Sequence, residues 1–196
     1  MFETCCQIWR QQGIKIVLYL DDGFVFSSTK HECLSVSETM QKSLSEFGLL
    51  INFEKSIFYP TQNIEWLGIL WDSQYFSISV PERRLRDTVE LLQRVVKNFP
   101  RVTARELARV VGKIISMSPV MGNICSIMTR FSSMEIAYRQ SWDDILEFTH
   151  ECEVLNECNF WLQCIHSEKT RYLHTPTKKS VITVSYTHLT LPTTPY

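Results

Sequence analysis

Residues 14–28 read IKIVLYLDDGFVFSS, and two β-rich apolar runs meet there at Asp21-Asp22-Gly23. Val, Ile, Tyr and Phe favour a pleated, half-buried backbone, and Asp-Gly is a strong hairpin-turn signal. The stretch predicts a β-hairpin with two carboxylates at its tip. Alternation puts Ile14, Ile16, Leu18 and Leu20 on one face and Val17, Tyr19 and Asp21 on the other. Both faces are largely apolar, as strands inside a layered fold require. Two adjacent carboxylates at the end of a buried ribbon repel each other. A divalent cation relieves that repulsion, and hard oxygen ligands suit magnesium. An ordinary solvated turn selects the same residues, so the rest of the chain must decide.

The chain has 196 residues, enough for one or two domains and a sizeable core. Apolar content of 44% and charged content of 21% are those of a soluble globular protein, not of a disordered or membrane-spanning one. Net charge is −1, so the whole chain does not announce a nucleic-acid partner. Its distribution is more telling: residues 81–113 hold nine Lys or Arg against four Asp or Glu. That stretch is either a phosphate-facing surface or a solvated helix face. Seven cysteines include the adjacent pair Cys5 and Cys6, and Cys152, Cys158 and Cys164 at six-residue intervals. No CxxC pair occurs, which argues against zinc despite His150 and His166, and the spacing is not that of a disulfide scaffold. Free thiols point to a reducing, intracellular setting. No signal peptide and no apolar run near the ~20 residues that cross a bilayer occur, so no membrane partner is expected.

Residues 1–12 predict a helix broken by Gly13. A lone hairpin is marginal, so the one that follows calls for partner strands. Thr29 to Glu32 form a capping-box pattern, Val36, Met40, Leu44 and Phe47 keep helical spacing, and Gly48 ends a helix over about 30–47. Residues 49–52 and 54–60 predict two short strands. Residues 64–71 (IEWLGILW) are strongly β, with Gly68 inside them marking a bulge or a close backbone approach. Residues 75–80 return as a strand. At Pro81 the period switches from two to 3.6. Leu85, Val89, Leu92 and Val96 form one stripe, and Leu107, Val110, Val111 and Ile114 a second behind a Thr103–Glu106 capping box. Ile124, Ile127, Met128 and Phe131 predict a third helix. A fourth is capped by Ser141 to Asp144, with Ile145, Phe148, Cys152, Leu155 and Leu162 inward. Residues 181–184 (VITV) predict one more strand. Residues 186–196 hold four Thr and two Pro in eleven positions and read as tail. The fold class is α+β: antiparallel hairpins with a helix first, a helical block second.

In that order of parts the chain resembles reverse transcriptases of retroelements (LTR or DIRS-type retrotransposon polymerases). Tyr19-Leu20-Asp21-Asp22 matches their Y-x-D-D motif, residues 47–56 (FGLLINFEKS) the lysine motif that follows, and residues 64–70 (IEWLGIL) the primer-grip hairpin. The block over 102–127 is similar to their thumb. The resemblance implies the C-terminal part of a palm with its primer grip over 1–80, a helical thumb or connection over 81–179, and the start of a ribonuclease H domain at 180–185. Two magnesium ions, with manganese as a substitute, serve this family's nucleotidyl transfer on an RNA or DNA template with a primer and deoxynucleoside triphosphates. By the same resemblance Asp21 and Asp22 hold metal and Lys55 is the general acid for leaving pyrophosphate. Tyr19 lies by the primer terminus, and Trp66, Leu67 and Gly68 place the primer strand. Arg101, Arg105, Arg109 and Lys113 reach template–primer phosphates.

The family's site needs another aspartate from an earlier strand, together with fingers, and the residues before Gly13 are too few to hold either. The chain reads as a fragment, expected to show no polymerase activity by itself; magnesium-dependent primer extension would contradict that. The downstream ribonuclease H motif does not follow residue 184, where the tail, similar to translated linker sequence, begins. The alternatives are a non-catalytic nucleic-acid-binding remnant and a decayed element product.

Overall fold

The computed structural model describes residues 2–149, 151–167, 169–173 and 189–190. Two compact units emerge, Met1–Trp66 with Trp71–Ser77 and Leu173–Tyr196, and Leu67–Leu70 with Ile78–Tyr172. The predicted strand at 181–184 and His150 fall outside the described residues, as does all of the predicted tail except residues 189–190.

The first unit opens with α1 (Phe2–Gln11), then the hairpin β1 (Ile16–Tyr19) and β2 (Asp22–Val25), and α2 (Lys30–Glu46). Gly13, at φ +84°, makes the turn from helix to hairpin, a backbone conformation that side chains disfavour. Thr29 caps α2 by accepting from the Glu32 N–H at 3.2 Å, while the Glu32 carboxylate reaches back to the Ser28 N–H at 3.1 Å. Gly48, at φ +71°, ends the helix, and Leu49 N–H donates back to Leu44 C=O at 2.9 Å.

The expected partner strands do not flank the hairpin among the described residues; β1 and β2 form a two-stranded sheet. Its faces are covered in other ways. Ile14, Ile16 and Val25 join Cys5, Cys6 and Trp9 of α1 and Met40 and Leu44 of α2 in one core. Phe24, on the opposite face, packs in a second cluster with Ile64, Trp66, Phe26 and Trp71. Helix and aromatic packing thus replace sheet extension as the source of stability. Each fully buried side chain such as Leu44 contributes about 2 kcal/mol of burial.

After β3 (Leu50–Ile51) the predicted strand over 54–60 does not form. The Asn52 side chain accepts from Lys55 N–H at 3.2 Å, and the Asn52 carbonyl accepts from Ser56 Oγ at 2.7 Å. These local bonds offer the backbone a turn in place of a ladder, and Pro60 lacks an N–H to give one. Next come β4 (Asn63–Trp66), β5 (Ile69–Asp72) and β6 (Ser77–Ser79). Residues 64–71 are therefore two strands, not one, with Leu67-Gly68 as the turn between them. Asp72 Oδ1 accepts from Gln74 and Tyr75 N–H at 2.8 and 2.9 Å and bends the chain toward β6.

The second unit holds α3 (Glu82–Asn98), β7 (Arg101–Thr103), α4 (Ala104–Ile115), α5 (Ser118–Met121), α6 (Ile124–Ile127), α7 (Arg130–Ala137), β8 (Ile145–Glu147), α8 (Glu153–Cys164) and β9 (Thr170–Tyr172). One four-stranded sheet has the order β4-β5-β6-β9. A final short strand, β10 (Leu189–Thr190), runs antiparallel to β3. The core stripe of α3 is Leu85, Thr88, Leu91, Leu92 and Val95, with Val89 and Val96 only half-buried, one position round from the expected stripe. The Thr103–Glu106 capping box of α4 forms as predicted.

Two expectations change further on. The third helix is broken into α5, α6 and α7: Gly122, at φ +79°, separates α5 from α6, and Thr129, at φ −141°, lies between α6 and α7. Ile127 and Phe131, expected in the core, are exposed. The fourth helix starts only at Glu153; Ser141 to Asp144 form a turn, and residues 145–147 pair with β7 as β8. Asp144 Oδ2 accepts from Gln140 and Ser141 N–H, both at 2.7 Å, which caps the turn instead of a helix. On α8 the buried Glu157 carboxylate accepts from Phe131 N–H, Ser132 N–H and Ser132 Oγ at 2.8, 2.9 and 2.6 Å. It supplies the N-terminal cap of α7, which Thr129 does not. None of the seven cysteines forms a disulfide, and burial pushes the Cys158 thiol up to about 12, so it packs as a protonated apolar side chain.

Candidate active site

Tyr19 pairs directly with Asp22 across the hairpin, and Leu18 with Gly23. The connection is therefore the two residues Leu20-Asp21, two positions before the Asp22-Gly23 turn that Asp-Gly suggests. Leu20 has φ +53°, the sign that primed hairpin turns require at their first position. The displacement changes the faces. Directly paired residues share a side of a sheet, so Asp22, not Asp21, shares the face of Tyr19, Val17 and Phe24. Asp21 sits in the turn itself. Both Tyr19, at 56%, and Leu20, at 80%, are exposed. Asp21 is exposed as well; Asp22 is half-buried, with Oδ1 shielded from solvent.

The tip carries two adjacent carboxylates on a ribbon gripped on both faces. Their donor chemistry fits magnesium or manganese: hard, anionic oxygens with room for water. The number of donors is short. Among the described residues no group of three or more His, Cys, Asp or Glu side chains is placed to hold a metal ion.

Trp66 stands with its ring centroid 4.8 Å from that of Phe24, two residues beyond Asp22. Trp71 lies 5.5 Å from the same ring and donates its indole N–H to Trp66 C=O at 3.3 Å. Phe24, which shares a strand face with Asp22, is the residue that Trp66 packs against, and no sequence motif singles it out. Leu67 and Gly68, at φ +51° and +70°, form the β4–β5 turn. Lys55 is exposed in the turn after β3, and among the described residues its side chain makes no hydrogen bond or ion pair, with Asp21 and Asp22 or with any other group.

The basic residues of the helical unit are mostly engaged nearby. Arg105 makes two bonds to Asp143, at 2.9 and 3.2 Å, and holds that carboxyl below the usual carboxylate range through the hydrogen bond and the charge together. Arg101 meets Glu147 at 3.3 Å and Lys113 meets Asp87 at 3.6 Å. Arg109 forms no ion pair among the described residues; it lines a cleft of about 380 Å³ with Arg94 and Lys113. Arg84, one of many bases on α3 and without a distinguishing sequence signal, proves to be singular. Its Nη1 donates to Gly68 C=O, and its Nη2 donates to Ser116 Oγ at 2.6 Å.

Residues 1–70 match a family model described as reverse transcriptase (RNA-dependent DNA polymerase). The matched stretch runs from α1 through the hairpin, α2 and the Leu67-Gly68 turn. Over that stretch the chain is similar to RNA-dependent DNA polymerases. No curated protein and no solved structure matches the chain.

Proposed function

We propose that this chain is part of a retroelement reverse transcriptase, with the β1–β2 hairpin as the carboxylate tip of its palm. The observation that carries the reading is the tip itself: Asp21 in a two-residue turn and Asp22 paired with Tyr19, on a ribbon held between two apolar clusters. A catalytic carboxylate must be fixed on a rigid element, and this ribbon is one. Asp21 and Asp22 would hold the metal, and at least one more carboxylate must come from residues other than those described. The bound metal would supply charge stabilisation for the attacking and leaving oxygens of phosphoryl transfer.

The chain's own groups then have these roles. Tyr19, exposed beside Asp22, orients the primer terminus. Trp66, Leu67 and Gly68 hold the primer strand by packing and main-chain contact. Lys55, exposed in the turn after β3, gives a proton to departing pyrophosphate. Arg109 and Arg94 reach template–primer phosphates, with Arg105 and Lys113 joining only if they leave Asp143 and Asp87.

The test is binding of the 196-residue chain to a labelled DNA primer on an RNA template, followed by anisotropy across a salt series. The expected slope of log K against log salt is about −2 to −3, two or three phosphates at roughly −0.9 each. A chain that does not bind the duplex, or binds it without salt dependence, contradicts the reading.

A further inference from the structure

The Leu67-Gly68 turn is anchored by one side chain. Arg84, half-buried in the first turn of α3, donates from Nη1 to Gly68 C=O and from Nη2 to Ser116 Oγ. Ser116 Oγ in turn donates to Lys113 C=O at 2.6 Å, so the end of α4 is drawn into the same chain of bonds. Helix ends leave such carbonyls without intrahelical partners, and here one of them closes the network. Gly68 is needed on two counts. Its φ of +70° is left-handed, and a Cβ at this position would lie 2.7 Å from Arg84 Nη1. Leu67–Leu70 accordingly group with the helical residues Ile78–Tyr172.

We infer that Arg84 is a positioning residue for the primer strand: it sets the direction in which the Leu67-Gly68 turn presents its backbone and the exposed Leu67 side chain. The inference rests on the polymerase reading above. A guanidinium donating to a main-chain carbonyl fixes the orientation of that peptide. Its planar fork reaches the carbonyl and the hydroxyl at once, which a lysine ammonium on a flexible stem does not reproduce. Arg84 touches no reacting atom; it acts through Gly68.

The test uses the full chain and a DNA primer carrying 2-aminopurine at its 3′ nucleotide, annealed to an RNA template. Binding strength is read from anisotropy and the position of the terminus from 2-aminopurine fluorescence at saturating protein. In Arg84→Ala the fluorescence is expected to move to that of free duplex, while affinity changes by less than about threefold, since one turn contact is a small part of the interface. Arg84→Lys is expected to recover less than about half of the signal. Ser116→Ala keeps the turn and the arginine but removes the hydroxyl that Nη2 holds, and is expected to move the fluorescence in the same direction as Arg84→Ala; it decides the matter if Arg84→Ala does not fold. Fluorescence unchanged in both Arg84→Ala and Ser116→Ala overturns the inference and leaves the polymerase reading standing. Failure of the wild-type chain to bind the duplex overturns both.

Discussion

Leu20 stands exposed at the hairpin tip on a left-handed backbone. At φ +53° and 80% exposure it gains nothing from packing and bears the cost of a left-handed conformation that branched or bulky residues avoid. Asn tolerates that region through its short polar side chain. Leu20→Asn is expected to raise stability by about 0.5–1 kcal/mol, read as a higher urea midpoint with an unchanged m-value. A lower midpoint would mean that the Leu20 side chain, and not the backbone, matters to the fold. Under the polymerase reading a hydrophobic side chain kept at a strained, solvent-facing tip beside Asp21 is there for a ligand, the substrate duplex. Asp-Gly suggests a turn two residues too late, because the strand pairing of Tyr19 with Asp22 is decided by how Ile16 and Val25 seat in the core, not by turn propensity.

The elements that were legible are those whose signals are local. The ends of α2 are written in Thr29, Glu32 and Gly48, and the start of α4 in Thr103 and Glu106. The elements that were missed are set by distant partners. Residues 145–147 became a strand because β7 offered them a ladder, and Phe148 N–H completes it on Pro100 C=O at 2.9 Å. The helix expected through 124–131 stops at Ile127, and α7 can begin at Arg130 because a carboxylate from α8 caps it. That last dependence is testable. Glu157 is 4% exposed and accepts three bonds from the first turn of α7. Glu157→Gln keeps the shape but turns an NH₂ toward N–H donors. It is expected to cost about 2–3 kcal/mol, seen as a drop in the thermal midpoint by circular dichroism. A loss below about 0.5 kcal/mol, the scale of a surface substitution, would show that α7 does not depend on this cap. Arg84 belongs to the same class: nothing in a run of bases on α3 marks the one that holds a turn sixteen positions upstream.

For the molecule as a whole, charge is distributed in a way the net value of −1 conceals. The basic excess over 81–113 survives folding only in part, since Asp143, Glu147 and Asp87 each take one of its members. Such exposed pairs are weak and salt-screened, so a polyanion can displace them, but its affinity will be modest. The reverse transcriptase match spans residues 1–70 and includes the hairpin, the lysine turn and the Leu67-Gly68 turn. Everything functional in this account therefore depends on whether the hairpin tip holds metal. The decisive measurement is titration of the 196-residue chain with Mn²⁺, followed by the loss of its free-ion paramagnetic resonance signal. The account predicts one weak site with Kd of about 1 mM, as befits two carboxylates without a full cage, abolished in Asp21→Asn/Asp22→Asn while the circular dichroism spectrum is unchanged. Identical Mn²⁺ binding by the wild-type chain and the double variant would contradict it.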